Sequence, residues 1–271
     1  MTNKDITKIY FCGDEIAALY QGSTLIFKKS GGGSTTEPTG VYKIKGTVTK
    51  ESGYTQFNLT YNNGQTVNVK VNKDLTFETD LQEPLTNANA MFKGRSYLET
   101  LDLNGLDTSQ VTDMSNMFSK STYLKDIKLS NFDTSKVTDM SAMFGGLYQI
   151  ESLDLTSFDT SNVTGMTTMF NYCLSLTDLY LNFDVSSVQS MYFIFDSNDK
   201  LTNVVGKFEG TKDDLNLRYS PLTPDSAMVF INGLATVTEK RTLKLSATTY
   251  DSLTPEQIAI ATAKGWTVTR S

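Results

Sequence analysis

The stretch Glu151-Ser-Leu-Asp-Leu-Thr-Ser-Phe-Asp-Thr-Ser-Asn-Val-Thr-Gly-Met-Thr-Thr-Met-Phe170 decides the reading of the whole chain, because it recurs. Its Met-Phe ending returns as Met91-Phe92, Met117-Phe118, Met143-Phe144 and Met169-Phe170, a period of 26 residues. A last unit ends one residue early at Phe195, with Ile194 in the Met place. Other columns keep the register: Leu101/Ile127/Leu153/Leu179, Leu103/Leu129/Leu155/Leu181, Val111/Val137/Val163/Val188 and Met114/Met140/Met166/Met191. A fixed period with several apolar columns predicts units that bury their apolar faces only against neighbouring units, the arrangement of an α/β solenoid.

Each unit has two halves. Leu-x-Leu, as in Leu153-Asp154-Leu155, predicts a short strand with alternate residues inward. Val-x-x-Met-x-x-Met-Phe, as in Val137, Met140, Met143 and Phe144, has apolar residues spaced by three, six and seven, which predicts a short helix. Asp133-Thr134-Ser135 ahead of it has the residue types that bond free backbone N–H groups at turns and helix starts. The fold expected is therefore a solenoid of short parallel strands and short helices, spanning residues 87–206.

Working outward, residues 41–86 alternate apolar and polar side chains, and Asn63-Gly64 is a hairpin signal. They predict a small antiparallel sheet that caps the first unit. Residues 30–40 are a Gly/Ser-rich linker, flexible by composition. Residues 1–29 read as a three-stranded meander, too small to bury a core alone. It should need a partner surface, with Ile9, Tyr10, Phe11, Leu19 and Tyr20 as candidate anchoring residues. Residues 207–271 continue the pattern in longer terminal turns. Leu222-Thr-Pro-Asp225 and Leu253-Thr-Pro-Glu256 are helix starts with Thr at the cap and Pro at the first helical position.

Composition limits the chemistry. The chain has 271 residues, a net charge of −6 and no histidine. The negative charge argues against a nucleic-acid surface. Absence of histidine removes the commonest general base and the usual nitrogen metal ligand. Cys12 and Cys173 have no metal or redox spacing. No run is apolar over the ~20 residues a membrane span needs. Residues 1–8 lack the apolar core of a signal peptide, so synthesis in the cytoplasm without standard export is expected. No enzyme activity, cofactor, metal, nucleic acid or membrane insertion is expected.

Two column readings follow. The Met and Phe columns are core, since Met fills irregular gaps. The column Asp107/Asp133/Asp159/Asp184 lacks the several oxygen ligands of a calcium site and reads as turn capping. What remains is the outward strand face. Asp102, Asp126, Lys128, Asp154, Asp178 and Tyr180 line it and are the candidate binding residues for a host-surface protein or glycan.

The unit Leu-x-Leu-x-x-Phe-Asp-Thr-Ser-x-Val-Thr-x-Met-x-x-Met-Phe resembles the BspA-type leucine-rich repeat, a Mycoplasma-lipoprotein-like repeat of bacterial surface proteins. The resemblance covers Leu98 to Phe195 and implies adhesion or protein binding. Residues Ile6 to Lys28 resemble, over one short stretch, modules at the starts of gut-phage (crAss-like or other Bacteroidales) virion proteins. Together these imply a virion structural or accessory protein, a fibre or decoration of head or tail. Residues 1–40 would hold other virion proteins, in a homo-oligomer or in many copies per particle. The alternative is a bacterial cell-surface adhesin of the BspA type.

Overall fold

The Met-rich half of each unit does not fold as a helix. In a helix each N–H donates four residues back within the same segment. Here alternate N–H groups donate to the next unit instead: Ala90 to Ser115 O (3.0 Å), Asn116 to Ser141 O (2.8 Å), Ala142 to Thr167 O (2.9 Å) and Thr168 to Tyr192 O (3.0 Å). Those same four residues sit at positive φ, between 54° and 57°. A left-handed residue ends a right-handed helical turn, so the segment runs as successive tight turns. The apolar spacing still delivers the Met and Phe side chains inward.

The computed structural model describes the backbone of residues 8–12, 15–21 and 24–28, and residues 43–49, 53, 55–81 and 83–271 with their side chains. It divides into two units, Met1–Thr39 and Gly40–Ser271. In the first, β1 (Lys8–Cys12), β2 (Glu15–Gln21) and β3 (Thr24–Lys28) pair antiparallel in that order, with Ile9 opposite Leu19 and Tyr10 opposite Ala18. The side chains of Ile9, Tyr10, Phe11, Leu19 and Tyr20 lie outside the described residues.

In the second unit, β4 (Lys43–Val48) pairs antiparallel with both β7 (Thr76–Asp80) and β8 (Leu98–Asp102). β8 pairs parallel with β9 (Asp126–Lys128), giving one four-stranded mixed sheet, β7-β4-β8-β9. The hairpin β5 (Gln56–Tyr61) and β6 (Gln65–Lys70) turns through Asn62 and Asn63, both at positive φ. Asn62 Oδ1 accepts from the N–H groups of Thr86 (2.8 Å) and Asn87 (3.0 Å), which ties the hairpin tip to the start of the repeat. β10 (Ser152–Leu155), β11 (Asp178–Asp184) and β12 (Asn203–Glu209) form a parallel sheet.

The tail holds a third parallel sheet of β13 (Leu215–Leu217), β14 (Arg241–Leu245) and β15 (Trp266–Arg270). It also holds α1 (Pro224–Gly233), α2 (Ala247–Ser252) and α3 (Pro255–Ala263). The capping residues act as their types predict. Thr223, Ser246 and Thr254 each accept from a first-turn N–H, and Thr254 with Gln257 forms a capping box. α1 lies against β12: the Ser226 hydroxyl takes the Val204 N–H (2.8 Å). A side chain at Gly233 would stand 1.8 Å from Phe208 O, so only glycine fits there.

The expected α/β solenoid is thus corrected. The strands break into small separate sheets, one of them mixed, rather than one repeated sheet. Among the described residues, helix is confined to α1, α2 and α3. Two causes are visible. N–H groups that a helix would use are spent between units, and β4 inserts antiparallel beside the first repeat strand.

One hydrophobic cluster runs from Ile44 to Trp266. Its spine is a column of phenylalanines, Phe92, Phe118, Phe144, Phe170 and Phe195. Successive ring centroids lie 5.6, 5.6, 5.8 and 5.4 Å apart, with planes within 17° of parallel. The column Thr108/Thr134/Thr160 is buried and bonds unit to unit. Thr160 Oγ1 donates to Asp184 O (2.9 Å) and accepts from Asp184 N–H (2.9 Å), standing in for a peptide group.

Candidate functional site

The strand side presents two rows of outward residues. One row crosses Thr76, Thr47, Thr100 and Asp126, and the other crosses Glu78, Lys45, Asp102 and Lys128. The second row alternates in sign. Lys45 Nζ is 3.8 Å from Glu78, and Lys128 Nζ is 3.9 Å from Asp102. Cross-strand pairs of opposite charge stabilise a sheet by a few tenths of a kcal/mol when exposed. A shallow open depression of about 350 Å³ lies over these rows. It brings Asp102, Asp126 and Lys128 together.

Asp154 and Asp178 lie farther along, on β10 and β11, with Tyr180 directly beside Asp154. Their carboxylates are engaged within the protein. Asp154 accepts from the Thr156 N–H (3.0 Å) and hydroxyl (2.7 Å). Asp178 accepts from the Thr177 hydroxyl (2.6 Å) and Asn203 Nδ2 (2.8 Å). Those two bonds, the Thr177 one foremost, hold the Asp178 carboxyl below the usual carboxylate range. The strand side is a charge-balanced surface with its carboxylates largely satisfied.

The Asp column also serves local structure. Asp107, Asp133, Asp159 and Asp184 each accept from the N–H two residues on, at 2.9 to 3.0 Å. Among the described residues no group of three or more His, Cys, Asp or Glu is placed to hold a metal. Cys173 is fully buried and donates to Phe144 O (3.2 Å). Burial pushes its thiol up to about 12, so it carries no thiolate chemistry at neutral pH. Among the described residues no helix is long and apolar enough to cross a membrane.

The turn side carries a feature that the strand-centred reading missed. Tyr123, Tyr148, Tyr172, Tyr192 and Phe193 are between 37% and 63% exposed, unlike the aromatics of the repeat columns, which are buried. The sequence signal was in the columns that do not repeat. Tyr172 stands where other units have Lys120 and Gly146, and Phe193 where they have Asn116 and Ala142. Near Phe193, Arg218 lies 3.9 Å from Asp196 and 4.4 Å over the Tyr219 ring.

Residues 86–208 match a family model described as "Mycoplasma protein of unknown function, DUF285". The match spans the 26-residue units and is consistent with a Mycoplasma or BspA-like repeat protein. No curated protein and no solved structure matches the chain.

Proposed function

We propose that the protein is a non-catalytic recognition protein: residues 1–40 attach it, and the repeat region binds a partner outside the cell that makes it. The observation that carries this is the set of exposed aromatic rings on the turn side, one site in each of four consecutive units. Large amphipathic rings left in water are characteristic of binding surfaces, where Tyr contributes contact area at low entropic cost. The engaged carboxylates of Asp154 and Asp178 support binding over acid–base chemistry at those two residues, since such chemistry needs a carboxylate free to exchange a proton.

The attachment site we propose is a phage particle, on the resemblance of residues 6–28 to gut-phage virion modules. Several copies there would raise weak binding through avidity. The resemblance of the 26-residue unit to the BspA-type repeat favours a second reading, an adhesin on a bacterial surface. Deleting residues 1–40 tests the first. The truncated chain is expected to be absent from purified particles while still folding. Particles carrying it at the normal level would sink the attachment role, and protein on the surface of uninfected cells would favour the adhesin.

A further inference from the structure

The exposed rings form a track. Successive rings sit 25, 24 and 21 residues apart, at Tyr123, Tyr148, Tyr172 and Phe193, always short of the 26-residue period. Each ring therefore lies earlier in its unit than the one before, and the band crosses the turn side obliquely. Backbone bonds fix the neighbourhood. Gly146 N–H donates to Asn171 O (2.7 Å), Thr168 N–H to Tyr192 O (3.0 Å), and Tyr172 N–H to Asp196 O (3.0 Å). Three steps between units at the ~4.8 Å spacing of paired strands carry the band roughly 14 Å along the stacking direction, apart from its shift along the units. Tyr192 and Phe193 form a block at its end, with ring centroids 3.9 Å apart.

We propose, on the recognition reading above, that this band is a binding track for an uncharged polysaccharide chain laid obliquely across the units. The rings offer flat apolar faces for the C–H faces of sugars, and the tyrosine hydroxyls offer partners for sugar hydroxyls. Charges beside the band come in both signs: Lys120 near Tyr123, Glu151 near Tyr148, and Asp196 with Arg218 near Phe193. That balance gives no field for an acidic polymer or nucleic acid. The rings line none of the concavities at 45–128, 156–209 and 206–233, so the ligand is laid along a surface rather than enclosed.

The test is affinity electrophoresis of the full chain in gels containing mannan, dextran or laminarin, beside gels containing polygalacturonate or heparin. The expected result is retardation by at least one neutral polymer and by neither acidic one. The double variant Tyr148→Ala/Tyr172→Ala should then bind about tenfold more weakly or less. Ile260→Ala on α3 should keep the parent's retardation, and all variants should keep its melting midpoint. Absence of retardation in every neutral gel, or equal retardation of the double variant, overturns the track. Binding of the parent to an acidic polymer alone, or to a defined cell-surface protein alone, overturns the polysaccharide while leaving the recognition reading standing. Binding to none of these overturns both.

Discussion

Val137 to Phe144 in the repeat and Pro255 to Ala263 in the tail both carry apolar side chains at helical spacing, yet only the second is a helix. The tail segment has a Thr254 cap, Pro255 at the first helical position and Gln257 closing the box. The repeat segment has no proline start, and Ala142 interrupts it at φ 54°. Its alternate N–H groups bond the next unit, as Ala142 does to Thr167 O. The difference teaches that spacing sets which side chains are buried, whereas the destination of the N–H groups sets the backbone. Isolated short helices are marginal, so a neighbouring unit offering carbonyls at the right interval wins.

That contrast can be broken hardest at the ring column. Phe144→Ala should cost about 3–5 kcal/mol, since it empties the middle of a stack with no room to collapse. Urea melts should show it, and an effect under about 1 kcal/mol would mean the column is not the spine of the region. Next comes the bond between units. Thr160→Val keeps the shape but leaves the Asp184 N–H and C=O without their hydroxyl partner, and a loss of about 1 kcal/mol is expected.

One substitution should take opposite signs in the two segments. Ala142→Gly relieves a left-handed residue and should stabilise by up to about 1 kcal/mol. Ala259→Gly, exposed within α3, should destabilise by about 1 kcal/mol. Equal signs would mean that the two segments share a backbone.

The smallest effect concerns pH. The Ser135 and Ser186 hydroxyls, helped by backbone N–H groups, hold Asp133 and Asp184 below the usual carboxylate range. A lowered folded value makes protonation favour the unfolded chain. The stabilisation is therefore complete above the unfolded value near ~3.9 and is lost as pH falls below it, through the folded value. Asp133→Asn/Asp184→Asn should flatten the fall in melting midpoint below about pH 4 and change it little at pH 7. An unchanged acid slope would place the acid sensitivity elsewhere.

Much of this was legible in advance. The Leu, Met and Phe columns marked the core, and the buried residues follow them because volume and apolarity repeat with the units. The Thr-Pro-acid starts marked α1 and α3, since those residues act on their own backbone. The strand-side candidates Asp102, Asp126, Lys128, Asp154, Asp178 and Tyr180 follow from alternation along strands. Their engagement within the protein does not, because Lys45 comes to lie opposite Asp102, and Asn203 reaches Asp178, only once the strands pair. Tyr148 and Tyr172 were hidden by the period itself, since attention to repeating columns passes over residues that break them; Tyr123 repeats Tyr97 26 residues earlier, but only the second of the two is exposed.

By itself, then, the amino-acid sequence determined register and content: which residues recur every 26, which go inside, and where turns and tail helices begin. Those are properties of single side chains and their spacing. Only the tertiary structure decided whether a segment's N–H groups bond within it or to its neighbour. It also decided which carboxylates meet a cation, and which aromatics stay exposed. Each of these depends on a partner brought close by the fold, and no single stretch of sequence contains both members of such a pair.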